Sequence, residues 1–145
     1  MYFKLISLST LFLIACTGKI TNPQSNTEPV MNQAELKNEK TRNYKFLNEM
    51  YQDSYFPRDL VDKGKQILVD LCNQIEQRQI KNLEELYALS KEATEKFNDL
   101  EEEFIENESE METAARECIA MDFAFIANAY GFKADVEELI SVRNW

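Results

Sequence analysis

The sequence contains no histidine. That absence removes the Ser-His and Cys-His nucleophile pairs, the usual zinc and non-haem iron ligand sets, and the commonest near-neutral general base. Enzyme chemistry would fall to carboxylates, lysines or tyrosines. Glycine and proline are scarce, three of each in 145 residues, which leaves few of the tight corners that short-stranded sandwiches and barrels demand. No stretch alternates polar and apolar residues as a half-buried strand does, and no repeat is visible. Basic residues are outnumbered, 16 Lys and Arg against 26 Asp and Glu, for a net charge of −10. So acidic a chain is unsuited to nucleic acid, which needs a basic face, and to an electrostatic grip on anionic lipid. It steers cationic partners instead.

One apolar run stands out. Met1-Tyr2-Phe3-Lys4 precedes residues 5–14 (LISLSTLFLI), and Ala15-Cys16 follows. A positive charge, a short apolar run and a small residue at the cut form the three-part layout of a secretory signal. Ten helical residues reach only about 15 Å, against a hydrocarbon core of roughly 30 Å, so a permanent span is not expected. Leu13-Ile14-Ala15-Cys16 resembles the bacterial lipobox, in which the cysteine thiol is alkylated by diacylglycerol and becomes the new N-terminus. The expectation is therefore a signal peptide over residues 1–15 and a lipid on Cys16 that holds the protein to a membrane of the cell envelope. Thr17, rather than an aspartate, follows the cysteine. This favours the outer membrane, facing the periplasm, in a cell with two membranes. The mature chain keeps 15 basic and 26 acidic groups, a net of −11, because only Lys4 is lost.

Residues 16–42 are polar, carry Pro23 and Pro29, and offer little to bury, so they read as a tether. From residue 43 to 145 apolar residues recur at steps of three and four. Tyr44, Leu47, Met50 and Tyr51 predict a short first helix ending near Asp53. Pro57 fits the first position of a long second helix, whose stripe runs through Leu60, Val61, Gly64, Ile67, Leu68, Leu71, Cys72 and Ile75. Gly64 on that stripe either permits close helix approach or is a weak spot. Asn82 with Glu85 has capping-box spacing ahead of a long third helix, and Ser109 with Glu112 repeats the spacing ahead of a fourth. Gly131 is placed as a left-handed cap, and Asp135 starts a last short helix over residues 136–141. The predicted fold is all-α: a compact bundle of about five helices, three of them long.

Candidate chemistry is thin. Seven glutamates crowd residues 101–112: Glu101, Glu102, Glu103, Glu106, Glu108, Glu110 and Glu112. They offer a cation or partner patch, but the alternating ligands and central glycine of a calcium loop are missing, so a solvated helix end is the preferred reading. Asp122 lies in a run that is apolar on nearly every face (IAMDFAFI). A buried carboxylate is costly unless hydrogen-bonded, so it is either an acid in a pocket or, the preferred reading, a satisfied structural acid. Cys72 and Cys118 both fall on apolar stripes; they form either an inter-helix disulfide or, preferred, two free core thiols. Arg116, four residues from Glu112, predicts a surface ion pair. Tyr51, Tyr55, Phe56 and Trp145 read as core edges of the type that also anchor interfaces. No catalytic set, metal site or cofactor motif is found.

Three segments, YKFLNEMYQDSYFPRDLVDKGKQILVDLCNQIE, NLEELYALSKEATEKFNDLEEEF and SEMETAARECIAMDFAFIANAYGFKADVEELISVRNW, resemble a bacterial family of short acidic helical proteins known only as domain-of-unknown-function family 5713. The resemblance covers residues 43–145 and is most specific over residues 115–132. It implies no catalytic residues. Typical members of that family begin near the first helix, so the signal and tether here are departures that put a cytoplasmic role in doubt. The expected function is a lipid-anchored, non-enzymatic module that binds a protein partner with a basic surface. The alternative is a small-ligand-binding or hydrolytic protein using Asp122.

Overall fold

The computed structural model describes residues 32–145, and among these it is helical with no strand. A 3-10 turn at Gln33–Glu35 is followed by α1 (Glu39–Arg42), α2 (Asn48–Gln52), α3 (Arg58–Arg78), α4 (Leu83–Glu106), α5 (Thr113–Ala129) and α6 (Val136–Leu139). The three long helices α3, α4 and α5 lie where the apolar stripes predict them. The signal peptide expected over residues 1–15 and Cys16 lie outside the described residues.

α3 and α4 form the central hairpin. Gln79 turns the chain in a left-handed conformation (φ 51°), and its N–H closes α3 on the Ile75 carbonyl. Asn82 then caps α4, its Oδ1 accepting from Glu85 N–H at 2.9 Å, while Glu85 reaches back to Lys81 N–H at 2.7 Å. The two helices meet at Gly64. A Cβ there would stand 3.0 Å from Leu47 Cδ1 and 3.1 Å from Phe97 Cε1. Close approach is therefore the role of this glycine. Leu68, Leu71, Leu86, Leu89, Phe97 and Phe104 fill the seam, each at most 1% exposed. Full burial of each such side chain contributes about 1.5–3 kcal/mol. Phe123, Ile119 and Ile126 of α5 close the core from one side, and Leu139, Ile140 and Trp145 seal the end of the bundle.

α5 ends as the sequence predicts. Gly131 (φ 86°) takes the left-handed position; its N–H bonds Asn128 O at 2.9 Å and Phe132 N–H bonds Ala127 O at 2.8 Å. Both bonds of a Schellman cap are present.

Three expectations are corrected. Ser109 does not start α5. The same cap geometry recurs one helix earlier, with Glu108 (φ 58°) in the left-handed position, Glu108 N–H bonding Ile105 O, and Ser109 N–H bonding Phe104 O. Ser109 is thus buried as the last residue of the α4 cap, and Glu112 becomes the N-cap of α5. The predicted first helix is shorter: residues 44–47 are a turn, because Leu47 is left-handed (φ 53°) and α2 begins only at Asn48. The folded part also begins before residue 43. Leu36 is 1% exposed and Thr41 is fully buried, so the described residues 32–42 are packed on the domain rather than part of a tether.

That leading strap is held by polar contacts. Glu76 of α3 accepts from the N–H groups of Lys37 (2.8 Å) and Asn38 (2.9 Å) and from the Tyr130 hydroxyl (2.7 Å). Asn38 Nδ2 donates to Ala129 O, and Gln33 Nε2 donates to the Thr41 and Tyr44 carbonyls. Burial pushes Glu76 up, but the three donors outweigh it and its carboxyl sits below the usual range.

Candidate functional site

α5 is apolar on most of its circumference, yet among the described residues nothing packs on one side of it. Met121, its central residue, is 62% exposed. A helix that is apolar all round is normally enclosed. Here the turn of residues 43–47 and α2 stand beside the bare face and make a groove along it. One end, about 580 Å³, is lined by Tyr44, Lys45, Glu49, Met121 and Asp122, among others. The other, about 610 Å³, is lined by Lys40, Tyr44, Met121, Ala124, Phe125 and Asn128, with Ala129 at its end. Tyr44 and Met121 belong to both ends. Tyr44 is stacked on Phe125, ring centroids 3.6 Å apart and planes inclined by 12°, and meets Phe46 edge-on at 5.1 Å. The floor is therefore aromatic and thioether, and the rim is amide and charge.

Asp122 sits under one end of this groove, only 3% exposed. Its Oδ2 accepts from Leu47 N–H at 2.7 Å. Tyr44 directs its hydroxyl to the same carboxylate. Leu47 begins α2 in a strained backbone conformation with no local side-chain cap. Asp122, 75 residues away, holds this residue by accepting from its N–H. Burial lifts its carboxyl to about 6 against the opposing pull of the Leu47 and Tyr44 donors, and the Glu49 charge adds to the rise. Burial and the neighbouring Asp122 raise the Tyr44 hydroxyl to about 12. Asp122 is thus a latch on the Leu47 turn and also a wall of the groove.

The other predicted residues do not join this site. Cys72 and Cys118 are both free and buried, so the disulfide alternative is not realised. Burial raises the Cys72 thiol to about 12 and raises Cys118 as well, which keeps both as neutral thiols. The seven glutamates disperse. Glu103 pairs with Lys63 across the α3–α4 hairpin, while Glu101, Glu110 and Glu112 border a separate cleft of about 590 Å³ with Arg116 and Trp145. Burial and the Glu110 charge raise Glu101. No group of three metal-ligating side chains converges among the described residues. The expected Arg116–Glu112 ion pair is not formed; Arg116 meets Glu112 only through its backbone N–H. Tyr51 bonds Asp62 at 2.5 Å and lies under Arg58, so it is a surface brace for α3.

Sequence reasoning missed Met121, Phe125 and Lys40 as a surface. The signal for the first two was present: a seventeen-residue helix apolar nearly all round needs either full enclosure or a partner. Lys40 carried no signal, because only the packing of the strap brings it beside α5.

The model of a family of unknown function, DUF5713, matches residues 40–145. No curated protein and no solved structure matches the chain.

Proposed function

The chain belongs to the family of unknown function DUF5713, and we propose that it is a lipid-anchored, non-enzymatic interaction domain of the cell envelope. It docks a protein partner in the groove along α5. The observation that carries the docking reading is Met121, a large apolar side chain 62% exposed at the centre of α5, with Ala124 and Phe125 beside it only half-buried. A stacked aromatic pair beside it and a polar rim around it match the make-up of protein interfaces, where Met, Tyr and Phe are enriched at the centre. The acid best suited to chemistry, Asp122, is already engaged with the Leu47 N–H. The net charge of −10 favours encounter with a basic surface.

Anchoring rests on Leu13-Ile14-Ala15-Cys16. No helix among the described residues is long and apolar enough to cross a membrane. Cys16→Ser should abolish incorporation of labelled fatty acid and release the protein from the membrane fraction; unchanged incorporation and retention would overturn the anchor. For docking, a photo-crosslinking residue at position 121 should capture a partner protein in living cells. The same residue at Lys96, exposed on α4, should capture far less. Equal capture at both positions would remove the groove from the reading.

A second reading draws on Asp122 itself, whose carboxyl, raised to about 6, borders a cleft of about 580 Å³. In it the groove binds a small molecule, or hydrolyses one, through that acid. A ligand-induced melting shift that disappears in Asp122→Asn would favour this reading over docking.

A further inference from the structure

We propose that the occupant of the groove is a second copy of this chain, the two α5 helices packing antiparallel about a two-fold axis through Met121. This rests on the docking reading of the groove and replaces its basic partner with a second acidic copy, matched by local charge.

Three observations lead to it. α5 spans Thr113–Ala129, so Met121 is its midpoint and a two-fold axis there uses the whole helix. The positions facing outward are Ala114, Glu117, Met121, Ala124 and Asn128, spaced alternately by three and four, which is the seam spacing by which two helices pack side by side. The alanines flanking Met121 let the backbones approach closely.

The third observation is charge. The two ends of the groove differ. Lys40 is the one charged residue lining the end beside Phe125 and Asn128, while Lys45 and Glu49 line the end towards the start of α5 and the exposed Glu117 precedes Met121 by one turn of that helix. Neither Lys40 nor Glu117 takes part in an ion pair among the described residues. An isologous antiparallel pairing sets Met121 on Met121 and Glu117 level with Phe125 of the other copy. It thereby carries Lys40 of each copy onto the Glu49 and Glu117 end of the other, twice per dimer. A parallel pairing would place Glu117 on Glu117 and Lys40 on Lys40. Two chains of net charge −10 repel at a distance, so their contact has to be locally complementary, and the antiparallel register is the one that makes it so.

The test uses the full anchored chain in cells. Met121→Cys places a thiol on the axis, and mild oxidation should give a covalent dimer on non-reducing gels. The yield should exceed that of Ile105→Cys, which is exposed on α4 outside the groove, and that of the unsubstituted chain, whose Cys72 and Cys118 are buried. In the Met121→Cys background, Lys40→Glu and Glu117→Lys should each cut the dimer about five-fold, and the double swap should restore it, as complementary charge pairs do. A Met121→Cys yield no greater than that of Ile105→Cys, or a double swap that fails to restore it, overturns self-pairing. A photo-crosslinker at position 121 separates this failure from the wider one. An adduct with a different protein and no homodimer leaves the docking reading standing and removes the second copy; no adduct of any kind removes both.

Discussion

Asp122 holds a proton more tightly in the folded chain than it does unfolded, and that sets the sign of its effect on stability. Its carboxyl is raised from 3.8 to about 6 by burial. Such a group favours the folded state fully below the unfolded value, and that advantage is lost as pH rises through about 6. Asp122→Asn keeps an oxygen for the Leu47 N–H but never ionises. The stability difference between the native chain and this variant should therefore shift by about 2–3 kcal/mol against the native chain from pH 4 to pH 7. Urea midpoints followed across that range check this, and parallel curves would refute it. Asp122→Ala removes the acceptor altogether and should destabilise at every pH by about 1–3 kcal/mol, because the Leu47 N–H is left buried and unpaired. Gly64→Ala tests the other contact of Leu47. Alanine would gain about 1 kcal/mol of helix propensity, but its Cβ would press on Leu47 and Phe97 at 3.0 and 3.1 Å. Both are fully buried and Leu47 is pinned by Asp122, so a net loss of about 1–2 kcal/mol is expected in urea unfolding. A more stable variant would mean the seam has slack.

At the scale of elements, the leading strap depends on one carboxylate. Glu76 receives three donors from two other parts of the chain, and its pKa is lowered. Its contribution is therefore present above the unfolded carboxylate value and lost as pH falls through the folded one. Glu76→Gln should lower stability at neutral pH by about 1–3 kcal/mol and speed hydrogen exchange at the Lys37 and Asn38 amides, while α4 amides stay protected. Loss of protection across α4 as well would mean that the strap is integral to the bundle. The elements also show where local signals hold. Asn82, Asp135 and Gly131 cap the helices predicted for them because each supplies its own side-chain acceptor or conformational freedom. Ser109 fails because Glu108 takes a left-handed conformation that glycine or asparagine more often occupies, and no neighbouring residue announces it.

The molecule as a whole carries a charge of −10, and only four ion pairs are formed among the described residues, mostly between exposed groups. Mutual repulsion of the acidic groups should dominate these pairs, so the melting temperature should rise when salt is increased from about 0.01 M to about 0.15 M, as the screening length shortens from about 30 Å to about 8 Å. A fall in melting temperature would show that attractive pairs prevail. The helical class, the three long helices and most of the core could be read from sequence, because a 3.6-residue repeat of apolar side chains is a local property and each stripe has to be buried somewhere. The expectation of a lipid on Cys16 rests on a short local pattern and on no fold. The groove was not legible. Which side of α5 stays bare depends on where α2 and the strap come to rest, and that is settled by contacts across 75 residues between Asp122 and Leu47 and across 38 between Glu76 and Asn38. Periodicity tells how much of a helix wants cover; only packing decides which part goes without it.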